Sequence, residues 1–240
     1  MTTPVVPIVA LDTPHLEGAL ALVSRLGDAC RFYKVGSELF TAEGPRVVRR
    51  LRDVGCDVFL DLKFHDIPNT VRAGVRSAAA LGASLVTVHA GGGRSMLEAA
   101  VDGAGDRCAV LAVTVLTSLD AAALGEAWGR DGLRVRDEVL RLAALARSAG
   151  VPGIVCSGEE AAEVRAVHGE ALRLLVPGVR LTGGASHDQA RVVTPSRAAA
   201  AGASWVVVGR AVTTAVDPEA AMAAVNRELG VLPAQNGGAR

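Results

Sequence analysis

Lysine is almost missing from this chain. Of the 25 basic residues among 240, 23 are arginine and only two, Lys34 and Lys63, are lysine. Net charge is missing as well, because 25 acidic residues balance the basic ones. That balance excludes the broad basic surface with which proteins hold nucleic acid or an anionic membrane. No apolar run is long enough to span a bilayer, and the opening MTTPVVPIVALDTP has no basic segment ahead of its apolar residues. Neither a transmembrane helix nor a secretory signal is expected. The four cysteines, Cys30, Cys56, Cys108 and Cys156, are far apart, with no C-x-x-C pair and no zinc pattern, and each lies in or beside an apolar run. They are expected to be reduced core residues of a cytoplasmic protein.

The scarcity of lysine directs attention to the two that are there. Guanidinium suffices wherever a solvated cation is needed, but it cannot deliver a proton near neutral pH, whereas a compact ammonium can. Lys34 and Lys63 are therefore candidates for chemistry.

Half of the residues are hydrophobic, and short β-branched runs alternate with Ala/Leu/Arg stretches of helical spacing. Strands are expected at 5–12, 31–35, 57–63, 84–89, 109–116, 153–156, 174–177 and 205–209. Helices are expected at 15–26, 41–54, 69–81, 95–103, 133–149, 158–168, 195–201 and 218–229. Continuous apolar strands alternating with amphipathic helices predict a parallel sheet. Eight such units predict an α/β fold of the (β/α)8 TIM-barrel type, a single domain over residues 1–232, followed by a frayed tail at 233–240. Thr194-Pro195 and Asp217-Pro218 read as helix starts, and Gly27, Gly55, Gly82 and Gly150 as helix stops. The polar stretch 120–134 is expected to be a mobile loop.

In such a barrel the C-terminal strand ends form the active face. This gathers Asp12, Lys34, Asp61, Lys63, His89, Thr117, Arg180, Gly209 and Arg210 onto one rim, both lysines included. Strand periodicity puts Asp61 and Lys63 on one face, with Asp66 opening the next loop. Alternating charges there hold an ammonium in place; a network serving stability alone is the other reading, and a costly one. Arg180 and Gly209-Arg210, after the seventh and eighth strands, are phosphate candidates, and 181–188 reads as a loop able to close over phosphate. Gly91 to Gly93 read as a tight turn rather than a phosphate nest, and Ser157-Gly158 as a helix cap. His65 and His89 fit no metal template and read as hydrogen-bonded supports. His15, His168 and His187 are expected to be exposed.

The run DLKFHDIPNTV, preceded by ALD and YKVG and followed by VTVLTS, VPGVR, HDQ and VVGR, resembles the orotidine 5'-phosphate decarboxylase family, in family order from Asp12 to Arg210. D-x-K-x-x-D by itself is shared with sugar-phosphate enzymes of the same superfamily; with IPNT and the distal GR it is specific. The resemblance implies decarboxylation of orotidine 5'-monophosphate to uridine 5'-monophosphate without cofactor or metal. It implies a charged tetrad of Lys34, Asp61, Lys63 and Asp66, with Lys63 protonating C6. It implies a homodimer in which Asp66 and Thr70 act in the neighbouring subunit's site. Asp12, Lys34 and Asp61 would contact the substrate near its ribose and carboxylate, Thr117 the pyrimidine edge, and Gln189 both phosphate and base. The rivals are an enzyme acting on a keto-sugar phosphate with a divalent ion, and a catalytically silent nucleotide binder. The first has no use for Thr117 and Gln189, the second none for both lysines with Asp61 and Asp66. One ammonium at about 4 Å supplies roughly 4 kcal/mol at an effective dielectric of about 20, or about three powers of ten. That falls short for an unactivated decarboxylation, so binding energy from phosphate and ribose must organise the charged site.

Overall fold

Alternation in the sequence becomes closure in space. The computed structural model describes residues 4–181 and 193–231. Its parallel strands are β1 (Val6–Ala10), β2 (Phe32–Gly36), β3 (Asp57–Phe64), β4 (Leu85–His89), β5 (Ala109–Val113), β6 (Gly153–Val155), β7 (Arg173–Val179) and β8 (Trp205–Val208). Each pairs with the next, and β8 pairs with β1 to close an eight-stranded barrel. The helices are α1 (Leu16–Leu26), α2 (Ser37–Glu43), α3 (Pro45–Asp53), α4 (Pro68–Ala80), α5 (Arg94–Ala104), α6 (Ala121–Trp128), α7 (Val135–Ser148), α8 (Ala161–His168), α9 (Pro195–Ala200), α10 (Arg210–Thr213) and α11 (Pro218–Glu228).

The strand period of two sorts the side chains. Val9, Tyr33, Val58, Leu60, Val86, Val110 and Val206 face outward into one large core shared with the helices. Ile8, Phe59, Leu85, Leu111, Leu175 and Trp205 face inward and form a separate cluster that plugs the barrel. Two residues further along four of the same inner rows come Asp61, Thr87, Val113 and Pro177, so the periodicity that fills the floor also delivers side chains to the C-terminal mouth. Trp205 closes the floor under the Arg173 guanidinium, 3.7 Å from its ring centre.

Local signals act as expected at several boundaries. Thr194 accepts a hydrogen bond from the Arg197 N–H and Asp217 one from the Ala220 N–H, capping α9 and α11. Gly27, Gly55, Gly82 and Gly150 all have positive φ. The four cysteines are free and buried. Among the described residues no helix is long and apolar enough to cross a membrane.

Other expectations need correction. The helix expected at 41–54 is two, because Gly44 at φ 60° ends α2 and Pro45 starts α3. The stretch 120–134 is not wholly loop: Asp120 caps α6 through the Ala123 N–H, and Leu124 is fully buried. Beyond it, Arg130 and Arg141 converge on Glu138, a buried carboxylate on α7. β5 stops at Val113 rather than 116, and α8 begins at Ala161 because Ser157 and Glu160 form a capping turn ahead of it. His15 is exposed, but His168 is buried and neither ring nitrogen has a hydrogen-bond partner among the described residues. His187 and the expected tail at 233–240 lie outside the described residues.

Candidate active site

A cavity of about 650 Å³ opens at the C-terminal mouth. Asp12, Lys34, Asp61 and Lys63 line one side, Arg180, Gly209 and Arg210 another, and Thr117 borders it after β5. Apolar side chains, including Phe59, Val155, Leu175 and Val207, complete the wall.

Asp61 is the centre of the charged group. Lys63 Nζ lies 2.9 Å from both of its carboxylate oxygens, and Lys34 Nζ is 3.9 Å from Oδ2. Lys34 Nζ also donates to Asp12 Oδ1 at 3.1 Å. The side chains of Asp61 and Lys34 are only 13% and 14% exposed, against 62% for Asp12. Attraction between Asp61 and the Lys34 ammonium is thus little screened by solvent, while Lys63, 39% exposed, and the Asp12 contact are screened more.

Two strand irregularities aim this rim. The β3–β4 register slips between Leu60 and Phe64, and within the slip Lys63 has φ 49°, the one positive φ of a non-glycine among the described residues. The β7–β8 register slips between Val176 and Val179, where Gly178 supplies φ 72°, just ahead of Arg180. Bulges of this kind re-aim side chains beside functional sites. The Arg180 N–H donates to the Val193 carbonyl at 3.0 Å, and Val179 forms a parallel bridge with Val193, tying the segment before α9 to the end of β7.

The ring of His89, at the end of β4, lies 5.2 Å from that of His65, the two tilted by 34°. Burial, reinforced by His65 and Lys63, lowers its pKa from the ordinary value, favouring the neutral ring.

Residues 6–225 match the family described as Orotidine 5'-phosphate decarboxylase / HUMPS. The chain belongs to that family. Among its relatives, the orotidine 5'-phosphate decarboxylase of Anaeromyxobacter sp. is 55% identical over 90% of this chain and 94% of its own. That of Chromobacterium violaceum is 48% identical over 96% and 93%. The crystal structure of the Lactobacillus acidophilus orotidine 5'-phosphate decarboxylase superposes with a TM-score of 0.83 at 38% identity, covering 94% of this chain and 99% of that one.

Of the site residues expected from resemblance to the orotidine 5'-phosphate decarboxylase family, Asp12, Lys34, Asp61, Lys63, Thr117, Arg180, Gly209 and Arg210 share the one cavity. Asp66 and Thr70 do not line it. Both are exposed, and Asp66 Oδ1 accepts the Ile67 N–H at 2.6 Å. Gln189 and most of the expected phosphate loop, 182–188, lie outside the described residues. The sequence reading missed Thr87, which contacts both Asp61 and Lys63. Its signal was present as the one hydroxyl in the apolar run LVTVH, at an inward-facing position.

Proposed function

We propose that the chain is a carboxy-lyase that converts orotidine 5'-monophosphate to uridine 5'-monophosphate and carbon dioxide in the cytoplasm, with no added cofactor. The observation that carries this reading is the Lys34–Asp61–Lys63 group, with Lys34 and Asp61 largely shielded from solvent, sharing a cavity with Arg180 and Arg210. The two guanidinium forks grip the phosphate, next to α10, the short extra helix after the eighth strand, where this fold commonly holds phosphate. Asp12 and Lys34 hold the ribose, and Thr117 and Gln189 the base. This remote binding energy presses the substrate carboxylate toward Asp61 and the reactive carbon toward Lys63.

The bond between C6 and the carboxyl carbon then breaks, leaving its electron pair on C6. The Lys63 ammonium stabilises that developing charge and gives C6 a proton, becoming a neutral amine that is reprotonated from solvent. The apolar wall limits water, so charges in the site act at a lower effective dielectric than in bulk solvent.

The same reading makes the enzyme a homodimer. Within one chain the charged group is a triad. The exposed segment carrying Asp66, Ile67 at 67% exposure and Thr70 supplies the fourth charge to a partner's site. Purified enzyme given orotidine 5'-monophosphate in the presence of EDTA should consume it, followed as loss of substrate absorbance; no turnover would refute the assignment. Turnover of a keto-sugar phosphate that vanishes with chelator would favour the metal-dependent rival. Mixing inactive Asp66→Ala and Lys63→Ala chains under subunit exchange should restore part of the activity, because one hybrid site carries neither defect. Failure despite demonstrated exchange would refute the shared site.

A further inference from the structure

Thr87 lies on β4 with its side chain turned into the barrel and fully buried. Its hydroxyl makes two hydrogen bonds, both to the charged group on β3. It accepts from the backbone N–H of Lys63 at 2.9 Å and donates to Asp61 Oδ1 at 2.9 Å.

The first bond answers a backbone need. Where the β3–β4 register slips, Lys63 turns to positive φ, and its N–H, in a part-buried position, finds its acceptor outside the regular ladder. Any acceptor within reach would meet that need. The second bond goes further, because the hydroxyl has one proton and commits it to Asp61, the carboxylate that Lys63 contacts and Lys34 approaches. One neutral group on β4 thereby ties the backbone of one charged residue to the side chain of the other.

We propose that Thr87 is a positioning residue for the decarboxylation, fixing the spacing of Asp61 and Lys63 throughout the reaction. The inference rests on the reading of the site given above. Its physical basis is a change of charge during turnover. When Lys63 gives its proton to C6, the ammonium becomes an amine and its ionic hold on Asp61 weakens. The Thr87 hydroxyl does not change charge, so it keeps the Asp61 carboxylate oriented while the ion pair is interrupted. The reacting groups then start each cycle already placed, and a misplacement of about 1 Å is enough to cost about a hundredfold in rate.

The test is a set of Thr87→Val, Thr87→Ala and Thr87→Ser enzymes, assayed with orotidine 5'-monophosphate and by titration with uridine 5'-monophosphate. Removal of the hydroxyl in Thr87→Val and Thr87→Ala should lower kcat at least about tenfold while KM and product affinity stay within about threefold, the mark of an interaction used in the transition state. Thr87→Ser, which keeps the hydroxyl, should retain most of kcat. A Thr87→Val enzyme with wild-type kcat would overturn the inference, as would a Thr87→Ser enzyme as impaired as Thr87→Ala. If Thr87→Val does not fold, the Ser and Ala pair decides. Absence of turnover by the unaltered enzyme would remove the reading of the site itself, and the inference with it. Normal turnover by that enzyme together with unimpaired Thr87 variants would remove the inference alone.

Discussion

At the scale of single residues, the site depends on where two ammonium groups are held. For Lys63, an arginine keeps the charge but not the compact donor, nor a proton available near neutral pH. Lys63→Arg is expected to lose about 10²–10⁴-fold in kcat with its melting temperature little changed, and near-wild-type kcat would refute the role as proton donor. For Lys34, the support is an absence of side chain. A Cβ added at Gly36 would lie 3.0 Å from Lys34 Nζ and 3.8 Å from Asp12 Oδ1. The Gly36 backbone, at φ −93°, accepts any residue, so alanine should fold there and displace the ammonium by a few tenths of an ångström. Gly36→Ala should lower kcat/KM by about tenfold at unchanged stability; a loss of stability without a loss of kcat/KM would show that Gly36 serves the fold alone.

At the scale of elements, α4 and α5 meet unusually closely. A Cβ at Gly103 on α5 would sit 2.4 Å from the backbone carbonyl oxygen of Arg72 on α4, which cannot move aside as a side chain could. The same contact carries the Arg72–Asp102 ion pair at 2.8 Å. Gly103→Ala should therefore force the helices apart and cost about 1–3 kcal/mol, read as a fall of roughly 2–4 °C in Tm per kcal/mol for a chain of this size. An unchanged Tm would mean that the pair adjusts freely. Since Asp66 and Thr70 flank the start of α4, this packing also sets where the segment proposed to serve the partner subunit is presented.

At the scale of the whole molecule, pH links burial to stability. Burial lowers the pKa of His89 and of His168 from the ordinary value of 6.5, with His65 and Lys63 adding to the effect on the first and Arg147 on the second. The unfolded chain therefore takes up these protons at higher pH than the folded one. Stability is complete above about pH 6.5 and falls as pH drops from there toward the folded-state values, because the unfolded state then binds more protons. Tm should be lower at pH 5 than at pH 7.5, and His168→Leu should narrow the difference. An unaltered pH dependence in that variant would show that His168 is not among the groups responsible. The thiols behave in the opposite sense: burial raises Cys30 to about 11 and Cys108 to about 12. They remain protonated and inert until the chain unfolds.

Much of this protein was settled by local sequence. Eight alternations of apolar strand and amphipathic helix are a property of the chain read in order, and the period of two already puts Asp61 and Lys63 on one face of their strand. The scarcity of lysine marked the two residues that meet at Asp61. Tertiary structure alone decided what depends on pairing between distant segments. Nothing near residue 63 announces that its N–H will bond a hydroxyl 24 positions away, because a register slip belongs to two strands and not to either one. Nor could helical spacing show that α8 turns His168 inward, or that Asp66 stands outside the cavity formed by its own chain. Periodicity tells which face a side chain takes, whereas packing tells what it meets there.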